Sequence, residues 1–215
     1  MPIDLYYQPG SAPCRIVLLA AKSIGVELNL KRTDLRNKEH LTPEFLKLNP
    51  QHTIPTLVDS DGFSIWESRA IITYLQNKYG KDDSLYPKDP KKRAVVDQRL
   101  YFDATSLSPG ARYAFGMFRG ETLDPEKMES LKKTFTFLDT FLEGSEYVAG
   151  DHYTLADISI VLTVSTLATA GYDLSPYKNI TRWYAKIQKT LPGYEDINTK
   201  ALAELKEMIR KGPPK

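Results

Sequence analysis

The chain has 215 residues, of which 41% are hydrophobic and 26% are charged, close to the average of globular domains. This length exceeds that of a typical single domain, and the apolar fraction can bury a sizeable core, which excludes a disordered or fibrous protein. Lysine and arginine outnumber aspartate and glutamate by only 29 to 27, so the charge balance gives no reason to expect a nucleic-acid partner.

Cysteine usage and hydropathy bear on the compartment and on ligands. The single cysteine excludes a disulfide framework within the chain, which fits a reducing compartment such as the cytoplasm. The first residues lack a basic segment followed by an apolar one, so we expect no signal peptide. No apolar run reaches about 18 residues, and we expect no membrane partner. The ligand spacing of a zinc site does not occur either, and we expect no bound metal.

The first third of the sequence alternates strands and helices. Alternating apolar residues predict a strand at residues 3–7, helical spacing predicts a helix at 14–25, and a second strand is predicted at about residues 27–31. A β-α-β unit of this kind pairs its two strands in parallel through a crossover helix.

A second group of elements completes this α/β module. A short helix is predicted at residues 43–48, and two brief strands at 56–59 and 63–66 flank the hairpin turn Ser60-Asp61-Gly62. A further helix is predicted from about Glu67 to Tyr79, because its apolar residues recur at helical spacing before a glycine.

The character of the sequence changes after this module. Residues 81–90 form a polar linker punctuated by prolines, and beyond it we find only helical periodicity. The fold class is therefore predicted as α/β plus all-α. The expected domains are an N-terminal α/β domain at residues 1–80, the linker at 81–90 and a C-terminal helical bundle domain at 91–215.

Two local patterns concern the structure of the helical domain. Thr154 and Asp157 have the spacing of a capping box, ahead of a helix that is apolar nearly all round and is therefore expected to be buried. The dipeptide Pro109-Gly110 is expected to break or kink the first long helix. We interpret both patterns as structural.

The segment Pro9-Gly10-Ser11-Ala12-Pro13-Cys14 lies between the first predicted strand and the first helix. Its spacing matches the C-x-x-C motif of thioredoxin-like redox sites, with Ser11 in place of the first cysteine. A dithiol needs both sulfurs, so no disulfide is expected to cycle here. Ser11 either hydrogen-bonds a sulfur supplied by a ligand or caps the helix, with Pro13 as an early helical residue.

The segment at residues 49–56 contains Ile54-Pro55 immediately before a predicted strand. Most X-Pro bonds are trans, but a cis bond here would turn the chain tightly and leave the preceding backbone amide and carbonyl unpaired. A peptide can bind such unpaired groups as it binds a sheet edge. Ile54-Pro55 is therefore a candidate cis-proline at a peptide-binding edge.

The segment Trp66-Glu67-Ser68-Arg69 opens the helix that follows the hairpin. Free backbone amides and the Ser68 hydroxyl at a helix start favour an anion, and Glu67 beside them can hold an ammonium group. These charges match the α-carboxylate and α-amino groups of an amino acid. The alternative interpretation is an ordinary helix start with its usual acidic and hydroxyl residues.

Taken in order, these motifs resemble those of cytosolic glutathione S-transferases, most closely the arthropod delta class. Residues 6–15, 49–57 and 66–71 all look like that class, and so does Leu85-Tyr86-Pro87-Lys88 in the linker. The resemblance implies a thioredoxin-like glutathione-binding domain at residues 1–80 and a helical domain that contributes an apolar substrate pocket. It also implies a homodimer in the cytoplasm.

The resemblance further implies an activity. Ser11 would donate its hydroxyl to the sulfur of glutathione and favour the thiolate, which would attack small apolar electrophiles in a detoxification reaction, with glutathione as co-substrate. The implied glutathione-binding residues are His40, His52, Thr53, Ile54, Pro55, Glu67, Ser68 and Arg69. The residues expected at the electrophile pocket are Gln8, Ala12, Pro13 and Leu35, by resemblance, and the aromatic residues Tyr113, Phe115 and Phe118 of the helical domain.

Three alternatives remain open from the sequence. A glutathione-dependent thiol oxidoreductase would use Cys14, although its place on the apolar face of a helix predicts a buried small residue. A carrier of apolar compounds would keep the fold without needing a thiolate. As a variant of the mechanism, Tyr6 or Tyr7 would replace Ser11 as the hydrogen-bond donor to the thiol.

Overall fold

The computed structural model describes residues 2–122 and 124–211, apart from the side chains of Phe115 and Lys211. The chain divides into two compact units, Met1–Lys81 and Asp82–Lys215. Within the described residues, none of the helices has the length and apolar character needed to cross a lipid bilayer.

A mixed four-stranded sheet organises the first unit. Its strands are β1 (Asp4–Tyr7), β2 (Asn29–Arg32), β3 (Thr56–Val58) and β4 (Ser64–Trp66), in the spatial order β2-β1-β3-β4. The strands β1 and β2 are parallel, which confirms the predicted β-α-β crossover, whereas β3 is antiparallel to both of its neighbours.

Local signals mark the end of the first helix and the start of the second in this unit. Its helical elements are α1 (Ala12–Ile24), a 3₁₀ turn (Glu39–Leu41), α2 (Pro43–Leu48) and α3 (Ser68–Tyr79). Gly25 ends α1 with a φ of 86°, a left-handed conformation that favours glycine. The Thr42 side chain caps α2 by accepting a hydrogen bond from the Phe45 amide.

The core of the first unit lies among the sheet, α1 and α3. Its central side chains are at most 1% exposed and come from all three parts: Leu5, Leu57, Ile16, Leu19, Ile71 and Leu75. Burying a large apolar side chain contributes about 1.5–3 kcal/mol. The apolar residues that alternate along the strands therefore pack with the apolar faces of α1 and α3 in one buried layer.

The predicted second strand begins about two residues before the observed one. It was expected at about residues 27–31, but β2 begins at Asn29 and ends at Arg32. The reason is its parallel register with β1, in which Asp4 pairs with Asn29 and Tyr7 pairs with Arg32. A strand ends where its partner ends, and the partner is not visible in local apolar alternation.

The described part of the second unit is helical, as predicted. Its α-helices are α4 (Pro90–Phe102), α5 (Ser108–Ala111), α6 (Tyr113–Phe118), α7 (Pro125–Phe141), α8 (Leu155–Thr169), α9 (Lys178–Thr190) and α10 (Lys200–Lys211). Two π-helical segments, Asp103–Leu107 and Glu195–Thr199, precede α5 and α10.

Helix α8 forms the core of the second unit. All its residues from Leu155 to Leu167 are buried, polar and apolar alike, which confirms the predicted buried helix. The predicted capping box is also present, because the Thr154 side chain accepts from the α8 backbone and the Asp157 side chain accepts from the Thr154 amide at 2.9 Å.

The predicted break at Pro109-Gly110 appears earlier in the chain than expected. Helix α4 changes to the π-helical segment at Asp103, before Pro109 is reached. Proline has no N–H and its ring collides with the carbonyl four residues before it, here that of Thr105. The wider π turn accommodates this conflict ahead of the proline.

Candidate functional site

Ser11 is the N-cap residue of α1 but does not cap it. Its backbone is extended, with φ −77° and ψ 119°, and its hydroxyl accepts no hydrogen bond from the first turn of the helix. The Ser11 amide instead donates to the Gln8 carbonyl at 3.2 Å, while its carbonyl accepts from the Arg15 amide at 3.0 Å. The capping interpretation of the Ser11 hydroxyl is therefore wrong. This half-buried hydroxyl lies at the start of a 13-residue helix and makes no capping hydrogen bond to it.

Cys14 is a buried residue of the helix core. Its side chain has no exposed surface. Burial raises the pKa of the Cys14 thiol, and hydrogen bonding to Ser11 and Gln8 offsets this only in part. A buried, protonated thiol is a poor nucleophile and a poor partner for disulfide exchange. The prediction of a buried small residue is confirmed, which speaks against the thiol oxidoreductase.

A fully buried asparagine organises the loop at residues 49–56. Asn49 Nδ2 donates to the Thr53 carbonyl at 3.1 Å and to Thr56 Oγ1 at 2.9 Å. Its Oδ1 accepts from the Gln51 amide at 2.8 Å. One side chain thus replaces the missing regular backbone bonds of the loop, because buried polar groups are stable only when paired.

The Ile54-Pro55 bond at the end of this loop is cis, so the candidate cis-proline is confirmed. Pro55 is buried and Ile54 is half-buried, whereas His52 and Thr53 are exposed. His52 has a left-handed backbone with φ 46°. The loop therefore presents two exposed side chains directly ahead of the cis bond.

The structure brings His40 and His52 together. His40 lies in the 3₁₀ turn, and its ring centroid is 6.1 Å from that of His52. The Nδ1 atom of His40 is buried and has no hydrogen-bond partner among the described residues. Two imidazoles at this separation form a local group able to face an anion.

The start of α3 holds the predicted acidic and hydroxyl pair. Glu67 is its N-cap residue with φ 69° and ψ 107°, and its exposed side chain makes no capping bond. Ser68 is 2% exposed, and its Oγ accepts a hydrogen bond from Nη1 of Arg69 at 3.0 Å. Glu67 is therefore free of the capping role that the ordinary interpretation assigned to it.

A side-chain hydrogen bond links these two parts of the first unit. Nε1 of Trp66, the residue before Glu67, donates to Oε1 of Gln51 at 2.7 Å. Sequence reasoning assigned no role to Asn49, Gln51 or Trp66, although all three stand inside the motifs. Their place inside the motifs could have marked them as functional residues. Their hydrogen-bond partners could not be predicted, because those depend on how the chain folds.

The residues predicted for the electrophile pocket belong to both units. In the first unit, Gln8, Ala12 and Pro13 are half-buried and Leu35 is 36% exposed. In the second unit, Tyr113 and Phe118 are half-buried. The side chain of Phe115 lies outside the described residues. Their assignment to a pocket stays a prediction.

The described residues contain no cluster of three or more histidine, cysteine, aspartate or glutamate side chains able to hold a metal ion.

Comparisons with known proteins identify the family. Family models match residues 1–77, as the N-terminal domain of glutathione S-transferase, and residues 87–189, as its C-terminal domain. A delta-class glutathione transferase of Nilaparvata lugens is 56% identical, with a TM-score of 0.89 over 98% of this chain and 99% of that chain. A Bombyx mori glutathione transferase is 47% identical, with a TM-score of 0.91 over 96% and 97% of the two chains. An epsilon-class enzyme of the housefly Musca domestica is 43% identical, with a TM-score of 0.87 over 97% of each chain.

The mixed sheet with a cis-proline ahead of β3, followed by a helical unit, is a thioredoxin-like domain joined to an all-α domain. The chain belongs to the glutathione S-transferase family and is a glutathione transferase. The resemblance to insect delta-class members, the fold class and the enzyme class are thereby confirmed.

Proposed function

We propose that this glutathione transferase activates the thiol of glutathione through the Ser11 hydroxyl and conjugates the thiolate to apolar electrophiles. The observation that carries this proposal is the position of Ser11 at the start of α1, with a hydroxyl that does not cap the helix. A hydroxyl in this place can donate a hydrogen bond to a ligand sulfur. It also lies at the positive end of the helix dipole, which favours a thiolate.

The free energy required is within reach of these groups. A thiol with a pKa near 8.5 is only about 3% ionised at pH 7, and lowering the pKa by about 2 units needs about 2.7 kcal/mol. A hydrogen bond to a charged acceptor contributes about 1.5–3 kcal/mol, and a helix N-terminus adds about 0.3–1 kcal/mol. The thiol proton leaves to solvent, the sulfur forms a bond to the electrophilic carbon, and a leaving group departs with its electron pair.

The remaining motif residues divide the recognition of the tripeptide. His40 and His52 bind the glycine carboxylate, because their ring centroids are only 6.1 Å apart and both imidazoles can reach one anion. The backbone of Thr53, Ile54 and Pro55 holds the cysteinyl unit beside the cis bond. Glu67 binds the γ-glutamyl ammonium.

The same γ-glutamyl end carries a carboxylate. The start of α3 and the Ser68 hydroxyl bind it, with Arg69 adding positive charge. Both ends of glutathione are thus held by motifs of the first unit.

The second substrate and the assembly follow the family pattern. In the first unit, Ala12, Pro13 and Leu35 supply apolar surface for the electrophile and Gln8 adds a polar group. In the second unit, Tyr113 and Phe118 are the aromatic candidates for the same role. We place the reaction in the cytoplasm, where glutathione is kept reduced. The detoxification of apolar electrophiles by a homodimer is the biological role that this chemistry suits.

Ser11→Ala tests the mechanism. The variant should lose most conjugation of glutathione to a chloronitroaromatic acceptor, and the ultraviolet absorption of bound thiolate should titrate near the pKa of free glutathione. Tyr7→Phe is the matched control, since it removes a hydroxyl from β1 and leaves α1 intact. A large loss in Tyr7→Phe with an active Ser11→Ala would contradict the assignment.

The non-catalytic carrier makes a different prediction for the wild-type chain. A carrier binds apolar compounds but leaves the pKa of bound glutathione at its free value. Titration of the thiolate absorption in the wild-type complex separates the two functions, because the transferase needs a lowered pKa for the thiol.

A further inference from the structure

One side-chain hydrogen bond joins the loop after α2 to the end of β4, next to the two segments proposed to bind glutathione. The first of these segments is the loop that follows α2, and the second is the loop that leads from β4 into α3. Nε1 of Trp66 donates to Oε1 of Gln51 at 2.7 Å across 15 residues of sequence. Gln51 directly precedes His52, and Trp66 directly precedes Glu67. The bond therefore connects the positions next to the two ends of the proposed tripeptide site.

The backbone on both sides of this bond is unusual. His52 has φ 46° and Glu67 has φ 69°, in the left-handed region that non-glycine residues rarely adopt. Such residues persist only where the surrounding structure holds them. A bond between the two preceding side chains restrains both loops at these points.

The two ends of the bond are anchored in different ways. The Trp66 backbone lies in β4 opposite Thr56 of β3, so the indole projects from a paired strand. The Gln51 amide donates to Oδ1 of the fully buried Asn49 at 2.8 Å. The bond therefore runs from the sheet to a loop whose base is fixed in the core.

We propose that Gln51 and Trp66 form a positioning tether that sets the spacing of the two loops and thereby the affinity for glutathione. This inference rests on the proposed function, which assigns His52 to the glycine carboxylate and Glu67 to the γ-glutamyl end. A ligand held at both ends binds best when its two subsites are already at the correct separation, because less order is lost on binding. The tether achieves this without contacting the reacting sulfur.

A double-mutant cycle on the KM for glutathione tests the tether. Trp66→Phe removes the N–H donor and keeps an aromatic ring, and Gln51→Met removes the acceptor at similar length. Each variant should raise the KM for glutathione about three- to tenfold, the effect of losing one neutral hydrogen bond, with kcat at saturating glutathione within about twofold. The double variant should resemble either single variant, since the bond is already lost in each.

Trp183→Phe is the matched control for the loss of an indole donor. Nε1 of Trp183 donates to the buried Asp157 in the second unit at 2.9 Å. This variant should lower the unfolding temperature and leave the KM for glutathione unchanged. Gln51→Met, at an exposed position, should instead raise the KM for glutathione and leave the unfolding temperature unchanged. Unchanged KM values in both tether variants, or independent effects that multiply in the double variant, would overturn the tether.

Measurements on wild type and Ser11→Ala separate the tether from the function on which it rests. If wild-type protein conjugates glutathione and Ser11→Ala does not, the proposed function stands and the tether is judged by the cycle alone. If wild-type protein neither binds glutathione by calorimetry nor conjugates it, the proposed function fails, and the tether fails with it.

Discussion

Asp157 has no exposed surface, yet it carries an ionisable group at the start of α8. Burial raises its pKa to about 6, although the Val148 and Thr154 amides, the Trp183 indole and the Thr154 hydroxyl all donate to it. The capping box recognised in the sequence is thus part of a larger junction. The junction joins the α8 start to the preceding loop and to α9.

The raised pKa has a definite sign for stability. The folded state holds the proton more tightly than the unfolded chain, whose aspartate pKa is near 3.8. The stabilisation from protonation is therefore complete below this value and is lost as the pH rises through about 6. Asp157→Asn removes the titration, although it also removes acceptors and lowers stability at every pH.

The stability advantage of wild type over Asp157→Asn should therefore fall by about 2 kcal/mol between pH 4 and pH 8. Urea unfolding of both proteins across this pH range measures the difference. Asp151→Asn, which removes an exposed aspartate of the preceding loop, is the control and should show only a small change. An advantage that stays constant or grows with pH would contradict a raised pKa for Asp157.

At the scale of elements, a buried carboxylate fastens the β3–β4 hairpin to α3. Asp59 is 1% exposed and accepts hydrogen bonds from Tyr74, from Lys78 at 2.8 Å and from Tyr79 at 2.5 Å. Lys78 also reaches Asp61 in the hairpin turn at 3.0 Å. Burial alone would raise the pKa of Asp59, but the donors, with Lys78 foremost, hold it below its usual range.

Loss of the Lys78 ammonium should therefore loosen this junction. Lys78→Met leaves a buried Asp59 carboxylate without its cation, and we expect the unfolding temperature at pH 7 to fall by about 3–6 °C. Because a lowered pKa stabilises the fold only while the carboxylate is ionised, the loss should shrink as the pH falls below 4. Scanning calorimetry of both proteins at pH 7 and below pH 4 measures this difference in unfolding temperature.

Lys81→Met is the control for this variant. It removes an exposed lysine just after α3 and should change the unfolding temperature little. An equal effect of the two lysine variants at pH 7 would show that the buried junction contributes nothing beyond a surface charge.

At the scale of the whole molecule, helix α4 has both buried and exposed apolar side chains. Val96 and Leu100 are buried, whereas Val95 is 38% exposed and Tyr101 is 71% exposed. A second copy of the chain would cover the exposed residues in the proposed homodimer. Light scattering should then give a mass of about twice the 24.4 kDa chain.

Tyr101→Glu should shift this mass toward that of one chain at micromolar concentration, because it places a charge in the proposed interface. Phe137→Glu is the matched control, since Phe137 is 57% exposed on α7, and it should leave the mass unchanged. A wild-type mass equal to one chain, or equal effects of both variants, would contradict the proposed interface on α4.

Much of the fold was predictable from local patterns. The β-α-β crossover, the hairpin and the Thr154 capping box all follow from local patterns, whereas the sequence made Ile54-Pro55 only a candidate cis bond. The extent of β2 did not, because it depends on its pairing with β1. The π turn at Asp103 was not predicted either. The dipeptide Pro109-Gly110 marks the position of the proline, whereas the backbone changes earlier, around the Thr105 carbonyl with which the proline ring would collide.

By itself, the sequence determined which residue types stand in the three motifs and which faces of the helices are apolar, because both depend on chain neighbours and on a fixed period. Only the tertiary structure decided that Ser11 does not cap α1, that Gln51 bonds Trp66 and that Asp59 accepts from three side chains of α3. The last two outcomes join segments distant in sequence. The energy of such a bond depends on burial and geometry that exist only after the chain has folded.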